Sequence, residues 1–232
     1  MTAYTYATYV TALSTEMVVP STDVNFIAIL PTIITNAELR LYRELDLVDT
    51  TVRDSSATLA LSTRNFTLPS TNGTFIVCEQ LNVITPAGTT NPEAGTRNPL
   101  IPASIDTLDF LWPSTSGSTL PVYFSMIDQD MAIVGPFPDQ TYTIEVVGTT
   151  RPPSLSTSVT TTPLSVFFPD LFLAASMVEA LAFQRNFGAA SDDPKAAVTW
   201  ESHYQALIRD AKTEEARKKF LIGHNETPKA GG

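Results

Sequence analysis

The chain has 232 residues, 43% of them hydrophobic and only 16% charged, with a formal net charge of −10 at pH 7. This length suits one large domain or a small domain carrying an insertion. An acidic chain is not built to grip a phosphate backbone, where affinity comes mainly from Lys and Arg, and a single cysteine, Cys78, excludes an intrachain disulfide framework. The charge is uneven: residues 1–50 carry −4, residues 51–160 carry −5 and residues 161–232 carry −1, and no lysine precedes Lys195. The opening MTAYTYATYV lacks the basic start and long apolar run of a signal peptide, so folding in a cytoplasm is expected.

Residues 4–15 (YTYATYVTALST) read as a short helix with Tyr6, Tyr9, Val10 and Leu13 on one side, although their Thr and Tyr content also suits a strand. Val19-Pro20-Ser21-Thr22 breaks it. Over Asp23–Leu47, Phe26, Ile27, Leu30, Ile34, Ala37, Leu41 and Leu45 recur near the helical period. Pro31 should kink this segment or divide it. Glu38, Arg40, Tyr42 and Glu44 are expected on its more polar faces.

From Thr51 to Thr150 strand-sized runs alternate with turn clusters. The predicted strands are Ala57–Leu61, Asn65–Leu68, Thr74–Val83, Ile105–Trp112, Val122–Ile127, Met131–Val134 and Thr141–Val147. Hairpin loops fit Thr71-Asn72-Gly73, Ser116-Gly117 and Asp128-Gln129-Asp130. Thr85–Ser104 (TPAGTTNPEAGTRNPLIPAS) is too long and too rich in Pro and Gly for a routine connection; such loops are functional or disordered. Thr149–Ser165 leads back to helix, with Arg151-Pro152-Pro153 extended.

Phe168–Phe220 organises the rest. Pro169 and Asp170 open a helix that is apolar almost all round (Leu171, Leu173, Ala174, Ala175, Met177, Val178, Ala180–Phe183), which marks it as buried. Its two acids and short length argue against a membrane span, and Gly188 is a natural stop. Asp193-Pro194 restarts a helix with Ala197, Trp200, Tyr204, Leu207, Ile208 and Ala211 on one face. Glu214–Lys218 and Glu215–Lys219 are expected as exposed i,i+4 pairs. The resulting expectation is an α+β fold. A helical body of residues 1–50 and 163–222 carries an inserted antiparallel β-sandwich or barrel-like domain, 51–162, and residues 223–232 form a flexible tail.

Catalytic constellations are not evident. There is no phosphate loop or dinucleotide fingerprint and no GxSxG elbow. His203 and His224 belong to no metal-binding pattern. Asp128 and Asp130 read as turn formers, and Asp106 and Asp109 fall on opposite faces if their run is a strand. A non-enzyme without metal or cofactor is expected.

Three blocks carry a family likeness: NFIAILPTIITNAELRLYRELDL (25–47), TYTIEVVGTTRPPSLSTSVTTTPLSVFFPDLFLAASMVEALAF (141–183) and WESHYQALIRDAKTEEARKKF (200–220). In this order they resemble tailed-phage head–tail adaptor (connector) proteins, the group that includes tail tubular protein A of short-tailed phages. The two ends carry the likeness; residues 50–140 match only in type. The resemblance implies a structural virion protein of the neck, assembled in the host cytoplasm. It would form a ring, usually of twelve copies, below the portal protein, prolong the DNA channel and offer a platform to a tail or nozzle protein. Double-stranded DNA would pass without specific binding, which the acidic balance suits, and no membrane is implied. Arg217, Lys218, Lys219, Phe220, Leu221 and Ile222 are candidates for portal docking. Arg97, Asn98 and Arg151 are candidates for intersubunit or tail contacts. The competing reading is a β-sandwich module binding a receptor or carbohydrate through exposed Trp112, Tyr123, Phe124 and Tyr142; a monomeric hydrolase is third.

Overall fold

The computed structural model describes residues 3–184 and 194–225, without the side chains of 182–184, 194–197 and 222–225. The expected stop at Gly188 and most of the expected tail, 226–232, lie outside the described residues. The chain divides into two compact units, Met1–Asp49 with Pro153–Gly232, and Thr50–Pro152. The return segment 153–162 thus groups with the helices, because Leu155 is buried among their side chains.

In the helical unit, Thr5 caps α1 (Tyr6–Glu16) through a reciprocal capping box with Thr8. Asp23 caps α2 (Val24–Glu44), accepting the Phe26 N–H at 2.9 Å. Pro31 does not divide α2. It lies on the exposed side of the helix, where the hydrogen bond that a proline forfeits costs least. The stripe that packs on α5 (Pro169–Gln184) holds Phe26, Leu30, Ile33, Ile34, Ala37 and Leu41. Ile27, expected in that stripe, is 51% exposed. Among the described residues α2 alone has the length and apolar character of a membrane span, but that character comes largely from the stripe turned onto α5.

Glu38 corrects the sequence reading. It lies in the buried stripe, only 2% exposed, and its Oε1 accepts the Leu155 N–H at 3.0 Å. It thereby fixes the return segment. The α5 helix packs Leu171, Phe172, Ala174, Ala175, Met177 and Ala180 inward. Tyr9 stacks on Phe172 with 4.5 Å between ring centroids; its hydroxyl donates to Phe172 O and meets Ser176 Oγ at 2.6 Å. A buried tyrosine needs such partners. Thr162 and Ser165 form a second capping box ahead of the short α4 (Pro163–Phe167), and Pro163 fills its first turn. The α6 helix (Pro194–Asn225) packs on α5.

The second unit has two four-stranded sheets. The first runs β1 (Thr51–Leu59), β8 (Tyr142–Arg151), β3 (Thr74–Thr85) and β4 (Thr96–Pro99), all antiparallel. The second runs β2 (Asn65–Thr67), β7 (Met131–Gly135), β6 (Tyr123–Met126) and β5 (Ile101–Pro102), with the β5–β6 pair parallel. Leu59, Leu81, Val83, Ile144 and Val146 of the first sheet share one core with Phe66, Phe124 and Val134 of the second. Alternation puts Thr143, Glu145 and Val147 of β8 on the opposite face, yet all three are buried. Part of the Pro/Gly-rich stretch folds over that face: a Cβ on Gly95 would stand 2.7 Å from Ile84 Cγ2.

One predicted strand is a helix. Residues Ile105–Leu111 form α3, capped by Ser104, whose Oγ accepts the Thr107 N–H at 3.2 Å. The β-branched and aromatic residues of this run suggest a strand, but the cap and the i,i+4 pair Leu108 and Trp112 decide otherwise. Both seat on Gly135, where an added Cβ would lie 2.6 Å from Trp112 Cε3 and 3.0 Å from Leu108 Cδ2. Asp106 and Asp109 are therefore three residues apart on a helix, not on opposite faces of a strand.

Candidate docking surfaces

The portal-docking candidates lie at the described end of α6. Tyr204, Ile208, Ala211 and Glu215 follow one helical stripe and are all buried. Glu215 is therefore not the exposed partner of Lys219 that i,i+4 spacing suggests. Its Oε2 accepts the Val48 N–H at 2.9 Å and its Oε1 the Lys218 ammonium at 2.8 Å. Lys218 also reaches Glu214 at 2.8 Å, and its Nζ stands 5.0 Å from the Phe168 ring centroid and 5.6 Å from that of Phe167. Burial pulls the Lys218 ammonium down, but the hydrogen bonds to Glu214 and Glu215 outweigh this and hold its pKa above the ordinary value. Lys219 pairs with Asp46. Two of the candidate cations thus anchor α6 to its own unit. Arg217 is exposed, as are Phe220 (72%) and Leu221 (62%). The Ile222 side chain lies outside the described residues.

The helix is held further along by Arg40. Its guanidinium donates to both Glu201 oxygens, at 2.9 and 2.6 Å, and to Glu44 at 3.1 Å, and it lies 3.9 Å over the Tyr204 ring. The fork matches a carboxylate with two parallel bonds, which holds the Glu201 carboxyl below the ordinary range. A groove of about 520 Å³ beside it, lined by Leu39, Arg43 and Glu179 among others, presents an arginine already neutralised by two acids.

In the β unit the contact candidates do not converge. Arg97 bonds the buried Glu145 at 3.0 Å and Glu93 at 2.5 Å, and Asn82 adds a 2.9 Å bond to Glu145. Asn98 Nδ2 bonds Val83 O, Thr85 Oγ1 and Thr96 O at 2.9–3.1 Å. Both side chains therefore shape the β3–β4 connection from within. Arg151 ends β8 opposite Thr74, eight residues beyond Thr143, which shares a rung with Ile84 and Arg97. That is roughly 25 Å at strand rise. Its Nε is buried without a hydrogen bond among the described residues.

Phe110 on α3 is the surface feature that the strand reading missed: it is 84% exposed, beside Leu111 at 52%. Arg64 pins this helix by donating to Trp112 O at 2.8 Å and pairing with Asp109. The aromatic platform of the receptor-binding reading does not exist as expected. Phe124 and Tyr142 are buried at 6% and 5%, and Trp112 packs on Tyr123 with 5.7 Å between centroids.

Among the described residues there is no cluster of three or more His, Cys, Asp or Glu suited to a metal. Burial, aided by the Glu79 charge, pushes the Cys78 thiol up to about 11, away from a reactive thiolate. Asp128 accepts the N–H groups of Asp130 and Met131 at 3.1 and 2.8 Å, as a turn former does, and these bonds hold its carboxyl below the ordinary range.

The sequence model of the SU10 adaptor protein family matches residues 4–222. The chain belongs to the SU10 adaptor protein family. The match spans both units, so the β unit is part of the family pattern and not an unrelated insertion. No curated protein sequence matches the chain. The adaptor is a structural component of the phage virion at the head–tail junction, where it interacts with portal and tail components.

Proposed function

We propose that this adaptor forms a ring of twelve copies below the portal, extends the DNA channel and provides the platform for tail attachment, in the manner of the tail tubular protein A group. It would assemble in the host cytoplasm, with a portal protein on one side and a tail or nozzle protein on the other. The net charge of −10 supports a channel through which DNA slides without being held. Arg97, Asn98 and Arg151 would act by shaping or bordering intersubunit and tail contacts.

The observation that carries the portal assignment is the end of α6. Arg217, Phe220 and Leu221 are exposed on a helix whose inward carboxylate and two lysines are fixed within the unit. The anchored part presents the exposed part, which can enter a groove by its apolar side chains. Because Lys218 and Lys219 secure Glu215 and Asp46, the informative truncation removes 220–232 and spares them. The shortened protein should keep its helical circular dichroism and lose binding to purified portal particles. Undiminished binding by the folded truncation would reject docking through this end.

A further inference from the structure

Helix α2 carries a second apolar stripe. The first, described above, packs on α5. On another side Val24, Ile27, Ala28 and Pro31 recur at i, i+3, i+4 and i+7, which places them on one helix face. All four are exposed, Val24 at 78% and Ile27 at 51%. A helix that is apolar on every side belongs in an interior, yet the first two or so turns of α2 leave this face in solvent.

Charge selects what covers it. Each copy of the chain carries −10, so two copies repel unless they meet where charge is absent. From Met17 to Ala37 the only charged residue is Asp23. Its carboxylate accepts the Phe26 N–H, and the positive end of the helix dipole offsets its charge. A membrane surface or a phosphate backbone is gripped by Lys and Arg. The first basic residue of the chain is Arg40, already held by Glu44 and Glu201. Contacts within permanent homo-oligomers are more apolar than other interfaces, and interface cores are depleted of charge. We propose that Val24, Ile27, Ala28 and Pro31 form part of the seam between neighbouring copies of this chain, so that the occupant of the stripe is a second copy. The proposal rests on the ring reading given above.

The test follows assembly of the full-length protein, alone and on purified portal particles, by native mass spectrometry. Ile27→Glu and Val24→Glu should keep native circular dichroism, since both side chains already meet water. Each should raise the concentration for half-assembly by about tenfold or more, because the seam would bury an unpaired carboxylate. Ile27→Leu should assemble like the wild type. So should Asn25→Glu, which adds the same charge to an exposed position off the stripe. Where rings form only on the portal, single copies of the glutamate variants should still bind, and filling should lose its cooperativity. Normal assembly by both folded glutamate variants would overturn the proposal and leave the ring reading standing. An equal loss in Asn25→Glu would trace the effect to added charge alone and overturn it too. Normal self-assembly with lost portal binding would assign the stripe to the portal. Normal self-assembly with binding to phosphatidylcholine vesicles that Ile27→Glu abolishes would assign it to a membrane. Either result would overturn the seam. A wild type that stays monomeric, free and on the portal, would reject the ring reading and the proposal with it.

Discussion

Glu215→Ala should destabilise the helical unit far more than an exposed helix carboxylate would. The side chain is 3% exposed and serves two donors, the Val48 N–H and the Lys218 ammonium. Removing it strands the Val48 N–H, and an unsatisfied buried donor costs about 1–3 kcal/mol. Val48 is half-buried, which puts that loss near the lower end. Lys218 retains Glu214, so the lost ion pair adds little, whereas the cavity left beside Ala211 adds more. The total is about 2–3 kcal/mol, against about 0–1 kcal/mol for an exposed pair. In a chain of this size that lowers Tm by roughly 4–12 °C. Thermal unfolding followed at 222 nm would show it, with Glu214→Ala, whose side chain is 55% exposed, as the control. Glu215→Gln keeps an acceptor for Val48 and should recover part of the loss. Equal Tm values for the Glu214 and Glu215 alanine variants would refute the reasoning.

Two further outcomes follow from buried contacts. Burial raises the Glu38 pKa above 4.5, so the folded chain holds its proton more tightly than the unfolded chain does. The associated stability is complete below about pH 4.5 and is lost as pH rises through the raised value. Glu38→Gln can still accept the Leu155 N–H, so its Tm should gain on that of the wild type across this interval; parallel pH curves would refute the assignment. Gly135→Ala should cost about 1–3 kcal/mol by overpacking and shift the fluorescence of Trp112, whose ring an added Cβ would approach to 2.6 Å; an unchanged emission maximum would count against the seating of α3.

Much of the helical unit was legible because its signals are local. Asp23, Thr5 and Pro163 stand where caps and first turns require them, and the repeat of Phe26, Leu30, Ile34, Ala37 and Leu41 needs no knowledge of what it packs against. The basic–apolar run at the end of α6 was also visible. Glu215 could have been placed correctly from spacing, since it continues the stripe of Tyr204, Ile208 and Ala211. The favourable Glu–Lys pattern on neighbouring positions concealed it.

What the amino-acid order determined by itself is the alternation of helical and strand periods, the caps, and the family pattern across residues 4–222. What only the tertiary structure decided is the use of each polar group. Glu38 is buried because Leu155 arrives 117 positions later, and Glu215 because Val48 lies 167 positions earlier. Lys219 turns to Asp46, and Arg97 to Glu145. Likewise α3 could pass for a strand until Gly135 offered a bare surface to Leu108 and Trp112. Periodicity reports which side of an element is apolar, but the partner of a charge or a backbone N–H is set by long-range closure of the chain, and no local pattern carries that information.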